Sequence, residues 1–394
     1  MRFVVRVLAL IVAAGTAIAA QPPPESRNFA RWVAEGERAE IPWKVRITRP
    51  ELTLDQRLVA LVAVELDGAK LNRHGTQHHL VLLANVAQEG GEWLGDAGSA
   101  GGVWLEHTSP QPLPRRTSLV FSIMLRFKPG RYRVGLVVVD RISGHRSATV
   151  RKVEAKAPSR DPLPQLFAGL PSVEMLPTWG PLDLALQRSH RTRRRLPIQN
   201  TRPLHLELVV GMADYHSRRI RNFYLAALEP LAALSVAVGS LRVTGIDLKR
   251  GRTVFDLDFS ESPEWKELLQ SLEEIDPHVV DFNELANLET TADFFTDFLN
   301  QRLRADLPAA SPGNPLRIMI VLGNSRLLYA GKKVQPVTPP ANCRCRVYYF
   351  PLRLYGWDDV RDVLKPLKPR VFATSSPKDY RRALAELPEE LRQF

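Results

Sequence analysis

Three histidines crowd one short stretch, His74, His78 and His79 in RHGTQHHL. Imidazole nitrogens ligate zinc readily, and His74 and His78 stand at the i, i+4 spacing that shares one face of a helix. The glutamate of a zinc-protease motif is missing here, and the stretch reads as a hairpin between strands. A metal-assisted hydrolase using His74, His78 and His79 is therefore the second reading of this chain, not the first. Asp214, His216 and Ser217 offer the residue types of a hydrolytic triad, but triads are assembled from separate loops rather than from one. No Gly-x-Ser-x-Gly elbow and no phosphate-binding Gly-x-x-x-x-Gly-Lys-Ser/Thr pattern occurs. The glycine-rich GDAGSAGG at 95–102 has no helical pattern behind it to orient a phosphate and reads as a loop.

Cys343 and Cys345 are the two cysteines of the chain. In an extended strand, residues i and i+2 hold their Cα atoms at about the upper limit for a bridge, so a bond between them requires a local turn. The pair is thus a possible disulfide, with free thiols or exchange with a partner as the other readings. No metal ligand set accompanies them, and no cofactor is expected.

The elements that would carry these residues follow from pattern. Residues 1–20 have Arg2 and Arg6 around an apolar start, then Leu8 to Ala20 apolar or small except Thr16, ending Ala17-Ile18-Ala19-Ala20 before three prolines. This is a signal-peptide pattern with cleavage expected after Ala19 or Ala20, which implies a secreted or periplasmic protein with no membrane span once the signal is removed. Residues 21–40 form an arm with Phe29, Trp32 and Val33 as its apolar positions. From 41 to 155 short, alternating, β-branched runs separated by Lys128-Pro129-Gly130 and Ser143-Gly144 predict an all-β sandwich, closing with the hairpin from Pro129 to Ala155 in an immunoglobulin-like manner. Residues 156–202 are rich in proline and contain the basic run from Arg188 to Arg195, so they read as a semi-rigid linker. From 203 to 394, continuous apolar strands alternate with amphipathic helices. Ser262-Pro263 and Ser376-Pro377 mark helix starts, and Thr291 precedes a helix carrying Phe294, Phe295, Phe298, Leu299 and Leu303. This pattern predicts a doubly wound α/β sheet, mostly parallel.

The formal net charge of +12 is uneven: +2 in the signal, +5 in residues 21–155, +5 in 156–202 and 0 beyond. For an exported chain that excess points to a protein or envelope polyanion partner rather than to nucleic acid.

The order of elements after residue 203, the strand running into its loop as LHLELVVGMADYHS, and the ending VFATSSPKDYRRALAELPEEL resemble a von Willebrand factor A domain. With the leader and the sandwich, the chain is similar to the acidobacterial VWFA-related exported proteins. The resemblance implies a metal site at the end of the first strand, where such domains carry Asp-x-Ser-x-Ser. Here Gly211, Ala213 and Tyr215 stand at those positions, and Asn324 and Ser325 stand where a later strand usually supplies an aspartate. Asp214 is the one carboxylate nearby. A hard cation needs several oxygen ligands, so the implied site is degenerate and metal-free. A non-catalytic binding face formed by Gly211, Ala213, Asp214, Tyr215, Asn324 and Ser325 is what the resemblance leaves.

Overall fold

The computed structural model describes residues 10–12, 22–93, 102–114, 116–168, 170–177, 195–212, 218–248, 250–260, 265–273, 291–305, 315–323, 335–341, 343–352 and 358–394. Two compact units divide the chain: Met1–Leu52 with Arg57–Ser159 and Leu170–Ala185, and Thr53–Gln56 with Arg160–Gly169 and Leu186–Phe394.

The first unit is built on period-two alternation. Its strands are Leu10–Val12 (β1), Arg38–Ala39 (β2), Trp43–Ile47 (β3), Glu51–Leu52 (β4), Leu58–Asp67 (β5), His78–Gln88 (β6), Val103–Ser109 (β7), Ser118–Phe127 (β8), Gly130–Asp140 (β9), Arg146–Ala155 (β10) and Val173–Pro177 (β11). One sheet runs β1-β8-β5-β3, with β11 beside β8 and β4 beside β5; the other runs β2-β10-β9-β6-β7. Every pairing is antiparallel except β1 with β8.

Leu58, Ala60, Val62, Val64 and Leu66 of β5 are fully buried while the residues between them are not, the signature of a sheet with one face on a core. β6 and β9 differ, being buried on both faces. Val81, Leu83, Val137 and Val139 are covered by Phe29, Trp32 and Val33 of the helix Phe29–Ala34. Each of those three side chains contributes roughly 2 kcal/mol on burial. Gly135 makes room for this lid: a Cβ there would meet Phe29 at 2.8 Å and Trp93 at 3.0 Å. The stretch RHGTQHHL is not the tip of a hairpin. β5 and β6 lie in different sheets, and the chain crosses between them through the helical turn Gly68–Leu71, capped by Asp67.

The second unit contains Leu196–Ile198 (β12), Leu204–Met212 (β13), Leu234–Val236 (β14), Gly239–Asp247 (β15), Arg252–Asp258 (β16), Leu316–Gly323 (β17), Cys345–Pro351 (β18) and Arg370–Val371 (β19). β12 and β14 pair with each other, and the remaining six form a sheet in the order β16-β15-β13-β17-β18-β19. The β15/β16 hairpin is antiparallel and the other pairings are parallel. Val209, Ile246, Met319, Val321, Val347 and Tyr349 form one core with Phe295, Phe298, Leu299 and Leu303 of the helix Thr291–Arg304 and with Val360, Val363 and Leu364 of the helix Asp359–Leu364. Elsewhere the ring of Tyr380, on the helix Pro377–Leu391, stands edge-on to Phe350 at 5.9 Å, and its hydroxyl donates to the Ala227 carbonyl.

These observations correct the expected fold class. The chain is not a doubly wound, von Willebrand factor A-like α/β domain joined to an immunoglobulin-like sandwich. Among the described residues strand accounts for 42% and helix for 26%, with several antiparallel sheets. The physical reason is that a continuous apolar run reports burial on both faces, not strand direction. In the first unit the antiparallel β6 and β9 carry such runs as fully as the parallel β13 and β17 of the second. Among the described residues no helix is long and apolar enough to cross a membrane.

Candidate functional site

The carboxyl ends of β13 and β17 meet at a pair of glycines. Gly211 and Gly323 are register partners. A Cβ on Gly323 would lie 3.2 Å from the Gly211 carbonyl oxygen and 3.4 Å from its Cα, so the two backbones approach as closely as glycine permits. Neither position can present a side chain to a ligand.

The acids around them are engaged in scaffolding. Asp247, at the end of β15, is fully buried; it accepts the Arg250 backbone N–H at 3.3 Å, and the Arg250 and Arg252 Nε atoms lie 4.0 and 3.9 Å from its carboxylate. Asp358 accepts the Tyr349 hydroxyl at 2.9 Å and caps the helix Asp359–Leu364 through the Arg361 N–H at 3.2 Å. The Leu352 N–H donates to the Gly323 carbonyl at 2.7 Å, and the Thr374 hydroxyl to that of Pro351, closing the same end of the sheet. Of the remaining residues expected at this face, Ala213, Asp214, Tyr215, Asn324 and Ser325 lie outside the described residues, as do His216, Ser217 and the basic run apart from Arg195.

The three histidines do not converge. His78 is fully buried, with Nδ1 3.0 Å from an Asp140 carboxylate oxygen. Asp140 also accepts the N–H groups of His79 at 3.1 Å and Ile142 at 3.2 Å and the Ser143 hydroxyl at 3.0 Å. Burial pushes its carboxyl up, but these hydrogen bonds outweigh burial and hold it below the usual aspartate value. Asp140 is thus the anionic anchor of the β9/β10 hairpin.

His79, one residue on and on the other face of the strand, places Nε2 3.3 Å from Glu106 and 3.1 Å from Arg141. Arg141 in turn forks onto Glu25 at 2.7 and 2.8 Å. His74 stacks edge-on against His145 at 5.0 Å. Among the described residues no group of three His, Cys, Asp or Glu side chains is placed to hold a metal ion.

One charged cluster escaped the reading of the sequence. Glu207 lies mid-strand in LHLELVV, buried, with Arg302 Nε at 3.2 Å. Arg302 also reaches Asp256 at 2.6 Å, and Asp256 accepts both Arg242 nitrogens at 2.6 and 2.7 Å and the Thr244 hydroxyl at 2.9 Å. Burial pushes the Glu207 carboxyl up despite Arg302 and Arg317. Asp256 is also pushed up by burial, yet the Arg242 and Arg302 bonds hold it below the ordinary value. The network fastens the 291–304 helix to β13, β15 and β16. A glutamate inside an apolar run was the available signal, since a buried carboxylate requires a cation.

Cys343 and Cys345 are joined by a disulfide, with Cα atoms 5.4 Å apart. The Cys343 N–H donates to the Pro340 carbonyl at 2.9 Å, and Cys345 opens β18.

No family model matches the chain, and no curated protein matches it. Among solved structures it is similar to a calcium-binding mutant of Bacteroides uniformis β-glucuronidase 2, at 12% identity and a TM-score of 0.20, over 72% of this chain and 28% of that one. It is also similar to a family 123 glycoside hydrolase from Clostridium perfringens, at 9% identity and a TM-score of 0.24, over 84% of this chain and 72% of that one. Likenesses at these scores carry no argument about fold or chemistry.

Proposed function

We propose that this chain is an exported, non-catalytic binding protein that holds a protein or an envelope polyanion, without a metal ion, at the carboxyl-end face around Gly211 and Gly323. The observation that supports this most is the glycine pair. There the ends of two adjacent parallel strands meet without side chains, while Asp247 nearby is already matched by Arg250 and Arg252. The basic excess of residues 21–202 suits an anionic partner. Export rests on the leader pattern of residues 1–20.

The test is retention on immobilised lipopolysaccharide and on an immobilised acidic polysaccharide across a salt gradient. Wild type is expected to be retained and released by salt. Arg252→Gln, whose side chain is half-exposed, is expected to elute at clearly lower salt with a melting temperature within a few degrees of wild type. Retention that ignores both salt and this substitution would contradict the proposal.

A further inference from the structure

The Cys343–Cys345 bond has properties that a structural staple does not need. With a single residue between the cysteines, it closes almost no chain, so it restrains the unfolded ensemble far less than a long-range bridge. Its segment is already held by the Pro340 turn and by the pairing of β18 with β17, where Cys345 stands opposite Arg317. Both cysteines are half-buried, with one side packed on the core cluster that includes Val337 and Val347 and the other side toward solvent. Arg344 between them and Arg346 after them are exposed, and the Arg346 guanidinium rests over the Phe394 ring at 5.4 Å. Exchange at such a bond is governed by the access of an attacking thiolate to either sulfur.

We propose that Cys343–Cys345 is a thiol–disulfide exchange site whose substrate is a pair of cysteine thiols on a polypeptide. A substrate thiolate attacks one sulfur of the pair, the Cys343–Cys345 bond breaks, and the other cysteine leaves as a thiolate that takes up a proton. The second substrate thiol, after losing its proton, attacks the substrate sulfur of the mixed disulfide and expels the protein cysteine as a thiolate, which is then protonated. The substrate ends as a disulfide and the protein as a dithiol; two electrons and two protons have passed from one to the other. This activity is independent of the binding face at Gly211 and Gly323.

The experiment mixes the full chain with a synthetic peptide carrying two reduced cysteines, quenches with an alkylating agent and reads both masses. Peptide disulfide is expected to appear in step with two alkylated cysteines on the protein. Cys343→Ser and Cys345→Ser are each expected to abolish it at a melting temperature within a few degrees of wild type. The proposal is overturned if the peptide stays reduced while oxidised glutathione oxidises it under the same conditions, if a Cys343→Ser/Cys345→Ser variant oxidises it as fast as wild type, or if both cysteines alkylate in protein that has never met a reductant.

Discussion

His205 and Glu207 stand two residues apart on β13, and burial moves their titrations in opposite senses for stability. His205, with Nδ1 2.5 Å from the Ser240 hydroxyl, is pulled below the ordinary histidine value of 6.5, first by burial and then by the Arg317 and Arg242 charges. The unfolded chain therefore binds a proton that the folded chain refuses, so the stability tied to His205 is present above 6.5 and is lost as pH falls below it. His107 is lowered by burial and acts in the same direction. Glu207, raised above 4.5, favours the folded state while protonated, and that contribution is lost as pH rises through its folded value. The melting temperature is expected to drop between about pH 7 and pH 5, and less so in His205→Gln; equal slopes in the two proteins would show that His205 is not the group responsible. Both residues were overlooked in the sequence because a run of apolar letters hides the polar ones inside it. Asp140 was visible only as the residue that ends a strand, with Ser143 three positions on as the trace of a side-chain-bridged turn.

At the scale of elements, local chemistry was readable and distant pairing was not. Ser376 caps the helix Pro377–Leu391 by accepting the Asp379 N–H at 3.2 Å, with proline at the first position, as the letters Ser-Pro imply. The helix over Thr291–Arg304 begins where its threonine stands. By contrast, Arg381 is buried on the 377–391 helix and forks onto Asp161, donates to the Leu163 carbonyl at 2.6 Å and to Gln56 at 3.3 Å, and lies over the Phe167 ring at 4.6 Å. Nothing local marks a pairing across this distance in the chain, so Asp161 and Phe167 looked like part of a tether. Removing one partner of a buried ion pair costs roughly 3–5 kcal/mol, whereas replacing both with apolar groups is often tolerated. Arg381→Met is therefore expected to be destabilised by about that amount in urea unfolding, and Arg381→Met/Asp161→Leu to recover much of it. A loss under about 1 kcal/mol in the single variant would mean the pair is not a buried anchor.

For the whole molecule, the alternation that announced a sandwich before residue 155 and the strand runs after 203 located most strands, because burial leaves a periodic trace in sequence. Sheet membership leaves none, which is why β5 and β6, adjacent in sequence, end in different sheets. The candidate site was legible only in part. Gly211 was singled out for what it lacks, and its partner Gly323, whose backbone contact defines the floor, was not. The histidines drew attention by density alone, and their three separate partners could not be inferred from spacing.

Metal-independent binding at Gly211 and Gly323 is tested by the metal content of the purified protein together with its thermal melt with and without excess Mg²⁺, Mn²⁺ or Zn²⁺. The account predicts no stoichiometric metal and no rise in melting temperature with any of the three. A bound equivalent of metal, or a melt raised by Mg²⁺ or Mn²⁺, would contradict it at the strand ends, and retained zinc would return the histidines to the centre of the problem.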